Sequence, residues 1–420
     1  KERKNCMEDM TKLGLLSELT EGLAKINITT PTKIQQQVIP AILKGVDVIG
    51  RSETGSGKTF AYLLPLFQKM DLTLKKTQVI ILTPTHELAS QVQKQAEILA
   101  KVSGLPIKSV LIIGSASMTR QLQKLKEKPH IVVGSAGRIL DFIQKRKISA
   151  HTVKTIVLDE GDRLLDHQNI ESVQAVIKTT LKQRQIVLLS ATVSQDIKKR
   201  AKQIMNENVV EISMTDSLLP KNIVHYYILA EKREKFIVLR KVLAAEKPKK
   251  AILFLNNPEN IAVTVDKLCY HGLKADGIYG GAYKTERQNA IENFRQGRIH
   301  FLVASDIGAR GLDIEDVTHI INLDLPEEPE QYLHRAGRTG RKGMSGQSIS
   351  IVTPYERKWI RKYEKTWNIT FVQKEMSFGK MVDSKKNKKE FERKPKKKST
   401  TVGQKKIASK KEHFQPKDKR

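Results

Sequence analysis

Ser52-Glu53-Thr54-Gly55-Ser56-Gly57-Lys58-Thr59 decides how this chain is read. A β-branched run at residues 46–49 leads into it, and a helix-like stretch at 60–67 leads out. Between a strand and a helix, Gly55 and Gly57 let backbone N–H groups come close to a β-phosphate, with Thr54 and Ser56 carrying the loop. Lys58 then neutralises the β/γ oxygens, and the Thr59 hydroxyl is a ligand for Mg²⁺. The first position of the strict phosphate-loop pattern is Ser52 rather than Gly, so read alone the segment also fits an ordinary Gly-rich turn. Its strand-to-helix setting favours the phosphate cradle.

Working outward, short apolar runs at 46–49, 79–82, 110–113, 131–133, 156–158 and 186–189 read as buried strands separated by amphipathic helical stretches. Such alternation predicts an α/β fold with a mostly parallel sheet, because parallel neighbours need crossover connections. After a polar, helix-breaking passage the rhythm restarts at 223–229, 251–255, 301–304, 319–323 and 348–352. Two tandem domains are therefore expected, over residues 1–215 and 223–376. A short hinge at 216–222 would keep them facing each other, and a disordered basic tail would fill 377–420.

Two further clusters bear on the phosphate loop. The run at 156–158 ends in Asp159-Glu160-Gly161-Asp162. Carboxylates at the carboxyl end of a parallel strand stand where open sheets bind ligands, so Asp159 can hold Mg²⁺ and Glu160 can polarise an attacking water. A solvated acidic turn is the plainer reading of these four residues, and a phosphate loop in the same sheet argues against it. The second expected domain carries His334-Arg335-Ala336-Gly337-Arg338-Thr339-Gly340-Arg341. These arginines fit a basic surface, but they also fit a cationic finger against a γ-phosphate, worth on the order of 10³–10⁵ in rate. With the lysine on one domain and the arginines on the other, hydrolysis would wait for closure.

Composition points to a polyanionic partner. Lys+Arg outnumber Asp+Glu by 75 to 45, a net +30. Residues 376–420 hold 17 Lys/Arg against 5 Asp/Glu, a net +12, and the remainder holds 58 against 40, so the body is basic in its own right. No stretch of about 18 apolar residues is present to span a membrane. Cys6 and Cys269 are far apart with no Cys/His cluster, which supports neither a zinc site nor a disulfide framework. The chain opens on Lys1 with no charged-then-apolar signal pattern.

Over residues 10–370 the order and spacing of these motifs closely resemble the DEAD-box RNA helicases of helicase superfamily two, which implies two RecA-like domains. Pro31-Thr32-Lys33-Ile34-Gln35 is similar to the family's Q motif, implying that Gln35 reads adenine and selects ATP. By the same likeness Asp313 would contact the ribose, and Arg338 and Arg341 would face the γ-phosphate. Ser190-Ala191-Thr192 is similar to the motif that links hydrolysis to strand separation, with Asp162 and His334 as its coupling partners. The resemblance further implies an RNA-backbone grip from Pro84, Thr85, Glu87, Gly114, Gly137 and Arg138 in the first domain. Asn256, Arg287 and the Ser305-Asp306 region would provide it from the second. Backbone contacts position a strand without reading its sequence.

The resemblance has departures. Gly161 replaces the acidic motif's Ala, which loosens the backbone and predicts altered turnover. His86 replaces an Arg on the RNA path, and Met10 and Ile28 replace aromatic residues around the Q motif, so adenine would lose ring stacking. The expected activity is ATP-dependent, Mg²⁺-requiring remodelling of short RNA duplexes or ribonucleoproteins, with ribosomal or ribonucleoprotein partners compatible. Two rivals stand beside it: a related helicase acting on DNA, and a non-catalytic RNA clamp dominated by its tail. The compact core with a short basic tail looks like bacterial members, implying cytoplasm; a nuclear or nucleolar address is the alternative reading of the Lys-rich segment.

Overall fold

The computed structural model describes residues 10–53, 55–214, 222–278, 284–309, 314 and 316–384. Thr54, Asp313, most of the expected hinge, and the tail past Ser384 lie outside the described residues.

Two parallel sheets, one per half of the chain, form the framework. The first is built from β1 (Asp47–Arg51), β2 (Val79–Leu82), β3 (Ser109–Ile112), β4 (Ile131–Gly134), β5 (Thr155–Asp159), β6 (Gln185–Ser190) and β7 (Val209–Ser213). Their order is β3-β4-β2-β5-β6-β1-β7, with every pair parallel. Strand alternation sends neighbouring residues to opposite faces. Val48, Val79 and Ile81 enter the core beneath helices Lys33–Leu43, Lys58–Gln68 and His86–Ser103, whereas Ile49, Ile80 and Leu82 enter the core on the other side. Both faces are covered, so the strands are apolar throughout.

The second sheet comprises β8 (Ile223–Leu229), β9 (Ala251–Phe254), β10 (Ala275–Ile278), β11 (Phe301–Ala304), β12 (His319–Asn322), β13 (Gly346–Val352), β14 (Phe371–Ser377) and β15 (Lys380–Asp383). They run in the order β10-β11-β9-β12-β13-β8-β14-β15, and all pairs are parallel except the closing β14–β15 hairpin. That hairpin corrects the expected start of the tail: ordered structure continues past Met376 through Asp383. The hairpin turns at Phe378 (φ 46°) and Gly379 (φ 73°), and Lys374 pairs with Asp383 at 2.7 Å. Its short strands mix apolar with charged residues and gave no regular rhythm to read. The expected strands otherwise fall within a residue or two of the observed ones, while β7, β10 and the hairpin are additions at sheet edges, where burial is partial.

One consequence positions the site. The phosphate loop follows β1, the acidic motif closes β5, and Ser190 closes β6, so three neighbouring strands deliver them to one carboxyl edge. Pro84-Thr85, Gly114 and Gly137-Arg138 follow β2, β3 and β4, the other half of the same edge.

Candidate active site at the domain seam

Gly55 (φ 83°) and Gly57 (φ 90°) hold left-handed conformations that let the loop curl onto the N-terminus of helix Lys58–Gln68. Lys58 Nζ donates to the carbonyls of Ser52 and Glu53, each at 2.6 Å. Burial lowers the pKa of its ammonium, against the pull of Asp159, Glu160 and Asp162. Gln35 ties the preceding helix to the loop: its Nε2 donates to Gly57 O (3.1 Å) and its Oε1 accepts from Thr32 N (2.9 Å). A Cβ at Gly57 would lie 2.7 Å from that Nε2, so the close approach also requires glycine. Each amide atom of Gln35 retains capacity for one more hydrogen bond. Met10 is fully buried in the core beside Leu19 and Leu23, and Ile28 packs on the same cluster.

The acidic motif is held from both sides. Asp159 Oδ2 accepts from Tyr62 (2.8 Å) and Oδ1 from Glu160 N (3.0 Å). The Tyr62 hydroxyl also lies near the Thr59 side chain, so one phenol stands between the two residues expected to hold a cation. Nothing in the sequence separated Tyr62 from an ordinary core aromatic. Burial raises the carboxyl pKa of both Asp159 and Glu160, and Arg338 opposes the rise at Glu160. Glu160 is a non-glycine residue at φ 53°, ψ 52°, a conformation costing of order 1–3 kcal/mol and typical of functional sites. Gly161 does not simply loosen this turn: an added Cβ would meet Leu188 Cγ at 2.4 Å, so a larger neighbour fills the space that a methyl group would take.

Across the seam, the second domain meets this site through His334. Arg163 Nη2 lies 2.9 Å from His334 Nδ1, and His334 Nε2 lies 3.5 Å from Asp162 Oδ2. Because guanidinium only donates, Nδ1 must accept, which puts the imidazole proton on Nε2, facing Asp162. Burial pushes the His334 pKa down to about 4. Asp162 Oδ2 also accepts from Thr192 Oγ1 (2.5 Å). Although its burial favours the neutral acid, His334, Ser190 and Thr192 hold its pKa below the ordinary value. Arg338, Glu160, Arg163 and His334 line one cleft together. Arg341 Nε donates to Gly337 O (3.2 Å) on the same turn.

The three arginines of this segment do different jobs. Arg335 is fully buried, grips Asp306 with Nε and Nη2 (both 2.7 Å), and donates to Asp324 O (2.7 Å) and Asn256 Oδ1 (2.8 Å). It ties together the ends of β9, β11 and β12 and stacks on Phe254. Asn256 is exposed and its Nδ2 donates to Leu325 O, whereas Ser305 is buried and its Oγ accepts from Gly308 N. On the other half of the seam Arg287 Nε pairs with Glu87 Oε1 at 3.1 Å, and Arg138 Nη2 donates to Gly114 O (3.0 Å). Thr85 caps helix His86–Ser103 by accepting from Leu88 N, and nothing lies within 4 Å of where a Gly137 side chain would start.

Comparison with known proteins agrees with this arrangement. Residues 32–200 match the DEAD/DEAH box helicase family model and residues 234–343 the helicase conserved C-terminal domain. The chain is 40% identical over 369 residues to the DEAD-box ATP-dependent RNA helicase CshC of Bacillus cereus, covering 87% of this chain and 93% of that one. It is 39% identical to the ATP-dependent RNA helicase DbpA of Bacillus subtilis, over 83% of this chain and 72% of the relative. Among solved structures it is similar to S. cerevisiae Dbp5 bound to RNA and ADP BeF3 (TM-score 0.80, 28% identity, 87% and 95% of the two chains). Mss116p bound to ssRNA and AMP-PNP is also similar (TM-score 0.80, 26% identity, 88% and 79%). With its two parallel sheets meeting at a seam of lysine, carboxylates and arginines, this chain belongs to the DEAD-box ATP-dependent RNA helicases.

Proposed function

We propose that ATP is held at the seam by the loop of Gly55, Ser56, Gly57 and Lys58, with Gln35 reading its base, and that Arg338 and Arg341 complete the site from the opposite domain. The carrying observation is the approach of buried Arg338 to half-buried Glu160, which stand on separate domains yet line one cleft. The two sheets support domain limits near 1–215 and 223–384. Thr59 and Asp159, both beside Tyr62, offer oxygen donors suited to Mg²⁺, which when bound would neutralise charge on the phosphates. Glu160 polarises the attacking water, and Lys58 and the arginines stabilise the charge that develops. Asp162, Thr192 and His334 report the state of this site to the seam.

RNA would lie along the other half of the first sheet's edge. Pro84, Thr85, Gly114, Gly137 and Arg138 offer backbone and guanidinium contacts there, and exposed Asn256 and buried Ser305 shape the opposite wall. Arg287 and Glu87, paired across the seam, brace that path. Contacts of this kind are largely independent of sequence. The bacterial relatives fit a cytoplasmic setting, and ribosomal or ribonucleoprotein substrates fit such contacts. Among the described residues no helix is long and apolar enough to cross a membrane.

The test is Glu160→Gln. Turnover is expected to vanish while ATP-dependent clamping of RNA persists, measured by RNA-stimulated phosphate release alongside RNA retention. Unchanged hydrolysis in that variant would refute the assignment of Glu160 as the water-polarising group.

A further inference from the structure

Helix Arg357–Trp367 lies outside the seam, in the second domain. Its inner side is anchored. Ile360 and Tyr363 are buried, Tyr363 stacks on Tyr332 at 4.8 Å, and Trp367 Nε1 donates to Pro329 O (3.0 Å). The helix therefore packs directly on Pro329–Ala336, the element that carries His334 and Arg335.

Its outer side is cationic. At about 100° per residue, Arg357, Arg361, Lys365, Lys358 and Lys362 fall within an arc of roughly 140°, opposite the buried residues. The nearby acids do not neutralise it. Glu356 is taken by Lys235 (2.8 Å), and Glu364 accepts from Phe371 N (3.0 Å). Glu328 reaches Lys362 at 3.7 Å, an exposed pair of little worth. Among the described residues Arg357, Arg361 and Lys365 have no carboxylate partner. Like charges four apart (357/361, 361/365 and 358/362) each oppose the helix slightly, a cost that a bound polyanion would remove. Tyr355, just ahead of the helix, is 72% exposed, with Lys358 Nζ 3.6 Å from its ring centre and 4.7 Å from that of Trp359.

We propose that this face, with Tyr355, is a second RNA-binding surface that takes single-stranded RNA outside the stretch gripped at the seam. The inference rests on the RNA-helicase assignment. Regular cations match successive phosphates, and an exposed ring with a lysine over one face matches a base stacked on the other. An acidic protein would satisfy the charges, but a row of cations at phosphate-like spacing beside a single ring suits a phosphodiester chain with a stacking base better. The chain's own Lys-rich C-terminal segment carries the same sign and is repelled.

The experiment uses the full chain with a non-hydrolysable ATP analogue. Two fluorescent oligoribonucleotides are compared: a short one that fills only the seam, and the same strand with single-stranded extensions. The unsubstituted protein should bind the extended strand more tightly. In Arg357→Gln/Arg361→Gln/Lys365→Gln the short strand should bind unchanged, while the extended strand loses about tenfold. Its log–log salt slope should also fall by roughly 2, the share of three phosphates. Tyr355→Ala should weaken the extended strand alone, by about tenfold, and photo-crosslinks from 4-thiouridine in the extension should reach Tyr355. Equal losses on both strands, no gain from extension, or crosslinks confined to residues 385–420 would each overturn the proposal. If the short strand fails to bind the unsubstituted protein, the RNA assignment itself falls, and this surface with it.

Discussion

The carboxyl edges of the two sheets face each other across the seam, yet they handle charge in opposite ways. On the first sheet Lys58, Glu160 and Asp162 stand half-buried around the buried Asp159, with pKa values displaced by their surroundings. On the second, the most buried charge, Arg335, is consumed internally by Asp306, Asp324 and Asn256. One edge is arranged for chemistry and the other is a rigid frame that holds out Arg338 and His334. The shared parallel architecture thus sets where groups can stand, and local bonding sets which of them are left to act.

That contrast can be broken most forcefully at Arg338. Arg338→Ala should slow RNA-stimulated hydrolysis by about 10³-fold or more, with the melting temperature nearly unchanged. The neighbouring Arg335→Met should do the reverse. Leaving Asp306 and Asn256 without their guanidinium is expected to cost about 3–5 kcal/mol in denaturant unfolding of the second domain. Any loss of activity should then follow the loss of folded protein.

His334 sharpens the comparison through pH. A free imidazole protonates near 6.5, but this one, buried at the seam, does so only near 4. Between those values the open protein binds more protons than the closed one. Closure is therefore fully supported above about 6.5 and weakens as pH falls through the window. Nucleotide-dependent RNA retention, measured from pH 7.5 to 5, should decline accordingly, and His334→Asn should flatten that decline. The smallest effect is expected at Gly161. Gly161→Ala pushes a methyl group against Leu188 and should cost about 1–3 kcal/mol of stability. Paired with Leu188→Val it should cost less than the two single changes summed.

Much of this was legible in the chain, for identifiable reasons. Interior strands such as residues 79–82 are buried on both faces and leave unbroken apolar runs. Edge strands β7 and β10 are half exposed, and β15 has only two apolar residues in four, so their pattern fades. That Lys58, Asp159 and Glu160 would meet was legible because a phosphate loop and strand-end carboxylates share one carboxyl edge of a parallel sheet. Arg335 could not be told from Arg338 without knowing that Asp306 and Asn256 converge on it from other strands. The replacement at Gly161 read as a loss of restraint because Leu188, 27 positions along the chain, gave no sign that it would fill the gap.

The most direct measurement is a crystal structure with a non-hydrolysable ATP analogue and an oligoribonucleotide. The guanidinium groups of Arg338 and Arg341 should point at the terminal phosphate, opposite Lys58 and Glu160. Finding them directed into solvent, with the triphosphate held by the first domain alone, would contradict the account.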